Sequence, residues 1–180
     1  MIRHAKRYKN MEIRYVLGSA KKLPFKDETF DAVTAFSAFH WFYDQKSVKE
    51  IKRVLKPGGL FFIAGRTGSK SWGEGYRNAI IKSIKRDIAY FIKSGSGYNP
   101  VSALKKGEFK SIKNKFWKRA EYYTLKNALE YVQSVSIWSS VPKNLRSKAL
   151  KGVEQHFINI RKKLGAIQRD LTVQATAGIK

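Results

Sequence analysis

The residues best suited to chemistry sit close together, with Asp31, His40 and Trp41 falling inside one short aromatic stretch. An imidazole at that place could accept a proton or orient an acceptor group, provided its geometry and pKa are suitable. Phe36, Phe39, Trp41, Phe42 and Tyr43 surround His40 in sequence, so packing or substrate shaping is the favoured reading over general-base chemistry. Asp31 reads as a hydrogen-bonding residue at a strand start. The chain contains no cysteine and three scattered histidines. Disulfides, thiolate nucleophiles and cysteine-based zinc sites are therefore excluded, and no histidine cluster has metal-ligand spacing. Gly65-Arg-Thr-Gly68-Ser-Lys70-Ser71 imitates a phosphate loop, but its lysine is not adjacent to the glycine and the spacing is short. Gly95-Ser-Gly97 follows a helical pattern, which is the wrong context for such a loop.

The elements that must carry these residues can be read from periodicity. Met1 to Tyr8 reads as the end of a helix, and Glu12 to Leu17 alternates as a strand does until Gly18 breaks it. Phe30 to Phe36 is a near-continuous apolar run, the pattern of a strand covered on both faces. Ser47-Val-Lys-Glu50 has the spacing of a capping box, and Val48, Ile51 and Leu55 then share one helical face. Lys56-Pro57-Gly58-Gly59 stops that helix, and Leu60 to Ala64 follows as a buried strand. Strand, helix and strand make a βαβ unit, so the fold class is α/β.

Farther on, Gly65 to Gly75 reads as a small, polar surface connection. Ile80, Ile81, Ile84, Ile88 and Phe91 mark an amphipathic helix ending near Ser94-Gly95. A strand is expected around Lys118 to Tyr123, then a helix capped by Thr124, then a helix opened by Pro142 and ended by Gly165. Leu171 to Ala177 alternates as a final strand. The chain carries 37 Lys and Arg against 13 Asp and Glu, a net charge of +24. Such a field attracts polyanions, RNA included, although lysines spread along the whole length read first as solvated helix faces. No run approaches the roughly 18 apolar residues a membrane span needs, and the first ten residues lack a signal-peptide core. A cytoplasmic location with no membrane partner is expected.

Four blocks, Gly18-Ser-Ala-Lys-Lys-Leu23-Pro24-Phe25, Asp27-Glu-Thr-Phe30-Asp31, His40-Trp41-Phe42 and Arg53-Val-Leu-Lys56-Pro57-Gly58-Gly59, follow in that order. Together they resemble the type 11 branch of the class I S-adenosylmethionine-dependent methyltransferases, a combination far more specific than one short motif. The resemblance implies a Rossmann-like sheet that lacks its first two strands, with added C-terminal helices. It implies one partial domain over residues 1–180: a cofactor-side core at 1–66, a helical acceptor-side region with a late strand at 67–170, and the final strand at 171–180. Met1 to Lys6 matches the helix after the family's second strand, so the glycine-rich turn after the first strand and the acid ending the second are absent.

The implied cofactor is S-adenosyl-L-methionine. Ser19 and Ala20 match the adenine-side positions, where the family's acidic acceptor is replaced by a hydroxyl. Phe36, Ser37 and Ala38 match the residues facing the methionine part, at a carboxyl strand end where open α/β sheets bind ligands. Trp41, Trp72, Tyr76 and Trp138 fall in regions that form the acceptor pocket in relatives, although such aromatics are usually core. His40 is the one weak catalytic candidate. The function implied is methyl transfer to a small-molecule acceptor by in-line displacement; an RNA methyltransferase and a non-catalytic remnant or binding module are the alternatives. In the family's sheet order the missing strands lie between the Ile13 and Ala32 strands, leaving an apolar edge. That edge is expected to pair differently, to associate with another chain, including a second copy, or to belong to a longer protein.

Overall fold

The structure is a computed structural model and describes residues 13–68, 70–85 and 98–180. Its sheet has four strands in the order β1-β2-β4-β3: β1 is Phe30–Phe36, β2 Leu55–Gly68, β3 Lys110–Tyr123 and β4 Ile167–Ile179. The helices are α1 (Gln45–Val54), α2 (Lys70–Ile84), α3 (Pro100–Lys106), α4 (Leu125–Ser134), α5 (Ser136–Ser139) and α6 (Arg146–Leu164). The chain is thus mixed α/β, as expected. No helix of the described residues is long and apolar enough to cross a membrane.

The β1-α1-β2 unit is parallel, with Val33 paired to Phe61 and Phe36 to Ala64. Near its start the register slips, because Phe30 faces Leu55 while Ala32 faces Leu60. The extra β2 residues contain Lys56-Pro57-Gly58-Gly59, and Gly58 adopts φ 75°, which a residue without Cβ takes at little cost. The helix itself starts earlier than the capping-box spacing implies. Asp44, not Ser47, is the N-cap, and its carboxylate accepts from the Ser47 N–H and the Ser47 hydroxyl, both at 3.1 Å. Glu50 is drawn away by stronger partners, described below.

Three other expectations change. Ile13 to Leu17 forms no strand, and Ile13 and Leu17 are 51% and 85% exposed. An alternating sequence becomes a strand only where another backbone takes up its N–H and C=O groups, and among the described residues none pairs there. The polar stretch after Gly65 is not a surface connection throughout. Lys70–Ile84 is helical and buries Trp72, while Ile88 and Phe91 lie outside the described residues, as do Met1 to Tyr8 and Gly95-Ser-Gly97. β4 starts at Ile167 rather than Leu171 because Ile167, Arg169 and Leu171 alternate as its buried residues. A charged residue at an apolar position hid the start of that alternation.

By contacts the chain divides into two compact units. The first comprises Met1–Ala64, Ser96–Asn114 and Ala175–Lys180. Its core gathers Phe39, Val48, Ile51, Leu55, Phe61 and Leu104. The second comprises Gly65–Gly95 and Lys115–Gln174, with a core of Trp72, Ile80, Val132, Val153 and Phe157. Within it α2 and α6 approach closely at Gly152, where a Cβ would lie 1.6 Å from Ser83 Oγ and 2.7 Å from Ser83 Cβ. The Ser83 hydroxyl is already committed, donating to the Ala79 carbonyl at 2.6 Å.

Candidate functional site

The segment leading into β1 is fastened to α1 by one carboxylate and one guanidinium. Glu50 accepts from the Leu23 N–H at 2.7 Å and from Arg53 at 2.7 and 3.0 Å. Arg53 also donates to Asp27 at 2.5 Å and to the Leu23 carbonyl at 3.2 Å. The backbone continues the attachment, with Glu28 and Thr29 N–H groups donating to the Arg53 and Val54 carbonyls at 3.0 and 2.8 Å. Leu23, Asp27, Glu50 and Arg53 together set the path of the chain into β1. The spacing of Ser47 and Glu50 suggested only a capping role for Glu50, and nothing in the sequence suggested one for Arg53.

The clamp predicts a pH dependence. Hydrogen bonds from Arg53 first, and from the Leu23 N–H second, hold the Glu50 carboxyl at about 2, below its ordinary 4.5. A depressed folded-state pKa gives stability that is complete above 4.5 and disappears as pH falls through about 2. Urea unfolding midpoints measured from neutral pH downward should fall in that window, and Glu50→Gln should flatten this arm of the profile. An unchanged profile in Glu50→Gln would rule out the clamp as a source of the acid sensitivity.

At the other end of β1 the chain turns sharply. Ser37 takes φ 48°, a left-handed conformation that costs a non-glycine residue energy and is concentrated at functional sites. Its N–H donates to the Ala64 carbonyl at 2.7 Å, so the turn is tied to the end of β2's parallel pairing. Phe36 is 65% exposed and its ring lies 5.9 Å from Phe62. Phe39–Trp41 then forms a short 3-10 turn with Phe39 buried against Phe42, Phe61 and Tyr98. The His40 ring lies 4.8 Å from Trp41 and edge-on to Tyr98 at 6.2 Å. Burial lowers the His40 pKa, so the imidazole is neutral at pH 7. Tyr98, whose phenol is pushed up by burial, is the contributor that the sequence hid. It follows the glycines of Gly95-Ser-Gly97 with no periodic pattern to announce it.

The structure gathers Phe36, Ser37, Ala38, His40 and Trp41 at this strand end. Ser19 and Ala20 belong to the same unit, where Ser19 bridges to Lys22 and its hydroxyl accepts from the Lys21 N–H at 3.3 Å. Trp41 is 68% exposed. Trp72, Tyr76 and Trp138 lie in the second unit and are 7%, 9% and 9% exposed, with Trp72 packed 5.2 Å from Phe157. A surface hollow of about 470 Å³ in the first unit is lined by Lys21, Gln45, Lys46, Lys49, Glu50 and Arg53, none of them an expected cofactor residue.

A nucleoside sulfonium fits these residues in part. The Phe36 to Ala38 turn presents an exposed aromatic ring and a Ser37 side chain open to solvent. On the adenine side, Ser19 and Ala20 supply no carboxylate, and the Ser19 hydroxyl is engaged locally.

A family model described as a methyltransferase domain matches residues 1–63. An uncharacterized methyltransferase of Schizosaccharomyces pombe is 25% identical over 177 residues, covering 96% of this chain and 66% of the relative. The demethylmenaquinone methyltransferase of Chlorobaculum tepidum is 32% identical over 145 residues, covering 71% of this chain and 56% of its own length. The chain therefore spans somewhat less than two thirds of these relatives. Among solved structures, a protein from Anaeromyxobacter dehalogenans provisionally classed as a type II methyltransferase superposes with a TM-score of 0.60. It is 15% identical, over 95% of this chain and 73% of that one, a likeness of fold.

Proposed function

Because this chain belongs to the class I S-adenosylmethionine-dependent methyltransferase family, we propose that it serves methyl transfer to a small-molecule acceptor and carries part of the cofactor site. The observation that carries this reading is the turn at the end of β1. Ser37 is held at positive φ and exposed Phe36 stands beside it, at the carboxyl end of a parallel strand. In the proposal Phe36, Ser37 and Ala38 face the methionine part of S-adenosylmethionine, and Ser19 and Ala20 face the adenine. The cofactor supplies an activated methyl group. The chain's own residues supply position, which accounts for much of the acceleration in an in-line displacement. His40, neutral and packed against Trp41 and Tyr98, shapes the acceptor edge in this unit. Trp72, Tyr76 and Trp138 are proposed acceptor-side residues of the second unit.

Calorimetric titration with S-adenosylmethionine tests the reading. With the adenine-side carboxylate missing, binding should be weak, with a dissociation constant on the order of 1 mM, or about −4 kcal/mol. Ser37→Val should abolish the heat, because a β-branched residue is disfavoured at positive φ. No heat and no thermal shift at millimolar ligand would make the chain a binding module without cofactor chemistry.

A further inference from the structure

Strand β3 closes one end of the sheet, and its segment Lys115 to Tyr122, all within the second unit, is exposed at every position except half-buried Glu121. It reads Lys-Phe-Trp-Lys-Arg-Ala-Glu-Tyr. Phe116, Trp117 and Tyr122 are 59%, 50% and 70% exposed. Successive strand side chains point to opposite faces, so Lys115, Trp117 and Arg119 share one face while Phe116, Lys118 and Tyr122 share the other. Trp117 thus stands between Lys115 and Arg119, and Phe116 beside Lys118, about 7 Å apart at alternate positions. Among the described residues, Lys115, Lys118 and Arg119 make no ion pair. The segment's one carboxylate, Glu121, is occupied by Arg66 at 3.3 Å and by the Tyr123 hydroxyl at 2.7 Å.

Lysines on an edge strand have an ordinary purpose, since charge there discourages pairing with a stray strand. That purpose explains the cations and leaves the aromatics unexplained. Phe, Trp and Tyr raise strand propensity and would undo the protection. The opposite edge, β1, is no precedent, because Phe30–Phe36 carries no basic residue at all. Exposed rings interleaved with unpaired cations are the composition that binds single-stranded nucleic acid, with bases stacking on the rings and phosphates meeting the cations. A duplex keeps its bases stacked on one another and offers such rings little.

We propose that the Lys115–Tyr122 edge of β3 is a binding surface for single-stranded nucleic acid, with Trp117 as the stacking platform and Lys115 and Arg119, on the same face, as phosphate contacts. The surface stands independently of methyl transfer. It locates on one strand what the net charge of +24 leaves spread over the chain.

Fluorescence anisotropy of the full chain with labelled oligouridylate and oligothymidylate tests it. Both strands should bind, and the logarithm of affinity should fall against the logarithm of salt with a slope of about −1.4, from two cations at roughly 0.7 each. Trp117→Ala should weaken binding about tenfold, and Trp117→Phe should restore most of it. Lys115→Glu/Arg119→Glu should weaken binding at least as much as Trp117→Ala. Lys148→Glu/Lys151→Glu makes the same change of net charge on the exposed face of α6 and should have a far smaller effect. Equal losses in the two charge reversals, or full affinity in Trp117→Ala, would overturn the proposal. So would tighter binding of a duplex, or equal binding of polyglutamate, which would make the surface a generic acceptor of polyanions.

Discussion

Replacing Phe157 by alanine is expected to cost about 3–5 kcal/mol of stability, the range for deleting a fully buried aromatic ring. Phe157 is 0% exposed and sits in the core of the helical unit, 5.2 Å from the Trp72 ring, which in turn lies 5.6 Å from Tyr123. The loss has two parts: the ring's transfer out of water no longer favours folding, and a cavity opens that rigid aromatic neighbours fill poorly. Denaturant unfolding followed by near-ultraviolet circular dichroism of the tryptophans should show both the shift in midpoint and a weakened native signal. A loss below about 1 kcal/mol would mean that the ring is not packed as described.

The second large effect runs the other way, from too much volume. Gly152→Ala gains up to about 1 kcal/mol of helix propensity, yet the net change should be a loss of about 1–3 kcal/mol from overpacking. The added Cβ would fall 1.6 Å from Ser83 Oγ and 3.0 Å from the Ala79 carbonyl. Since Ser83 Cβ is itself 2.7 Å away, Ser83→Ala should relieve the clash only in part and Ser83→Gly should relieve it largely. The swap Ser83→Gly/Gly152→Ala should therefore recover much of what Gly152→Ala loses. A double-mutant cycle should give a coupling of about 0.5–3 kcal/mol; strictly additive changes would show that the two helices do not touch there.

How far the sequence disclosed this structure depends on which force decided each element. The order of β1, α1 and β2 was legible because an apolar run and a helical stripe pointed one way, but β1 is not covered on both faces as that run implied, since Ala35 is its one buried residue and Phe36 is 65% exposed, and β2 begins at Leu55, before Pro57-Gly58. The Thr124 cap and the left-handed Gly165 were legible for the same reason, since local chemistry and global fold agree there. The α1 cap was misplaced because Asp44 and Ser47 both offer capping geometry, and the choice depended on Glu50 being taken by Arg53 and Leu23, the latter brought close only by folding. Ile13 to Leu17 alternates convincingly but lacks a pairing partner among the described residues. β3 showed only its last part because most of it is exposed on both faces, leaving no apolar alternation to read. At the site, the Phe36 to Ala38 strand end could be anticipated. The contribution of Tyr98 could not, because nothing local marks a residue whose importance comes from which ring it meets.

The first unit has a consequence for how the chain is made. It is assembled from Met1–Ala64, Ser96–Asn114 and Ala175–Lys180. Lys180 is part of that closure: its N–H donates to the Gly59 carbonyl at 3.0 Å and its ammonium to the Leu55 carbonyl at 2.6 Å. During synthesis, residues 175–180 are the last of these to leave the ribosome, while β1 and α1 are among the first. Domains usually fold in the order they emerge, but this unit cannot complete its contacts in that order. Contacts so distant along the chain also slow the folding step itself. The apolar strand must therefore wait, partly assembled, for the last of these segments to arrive.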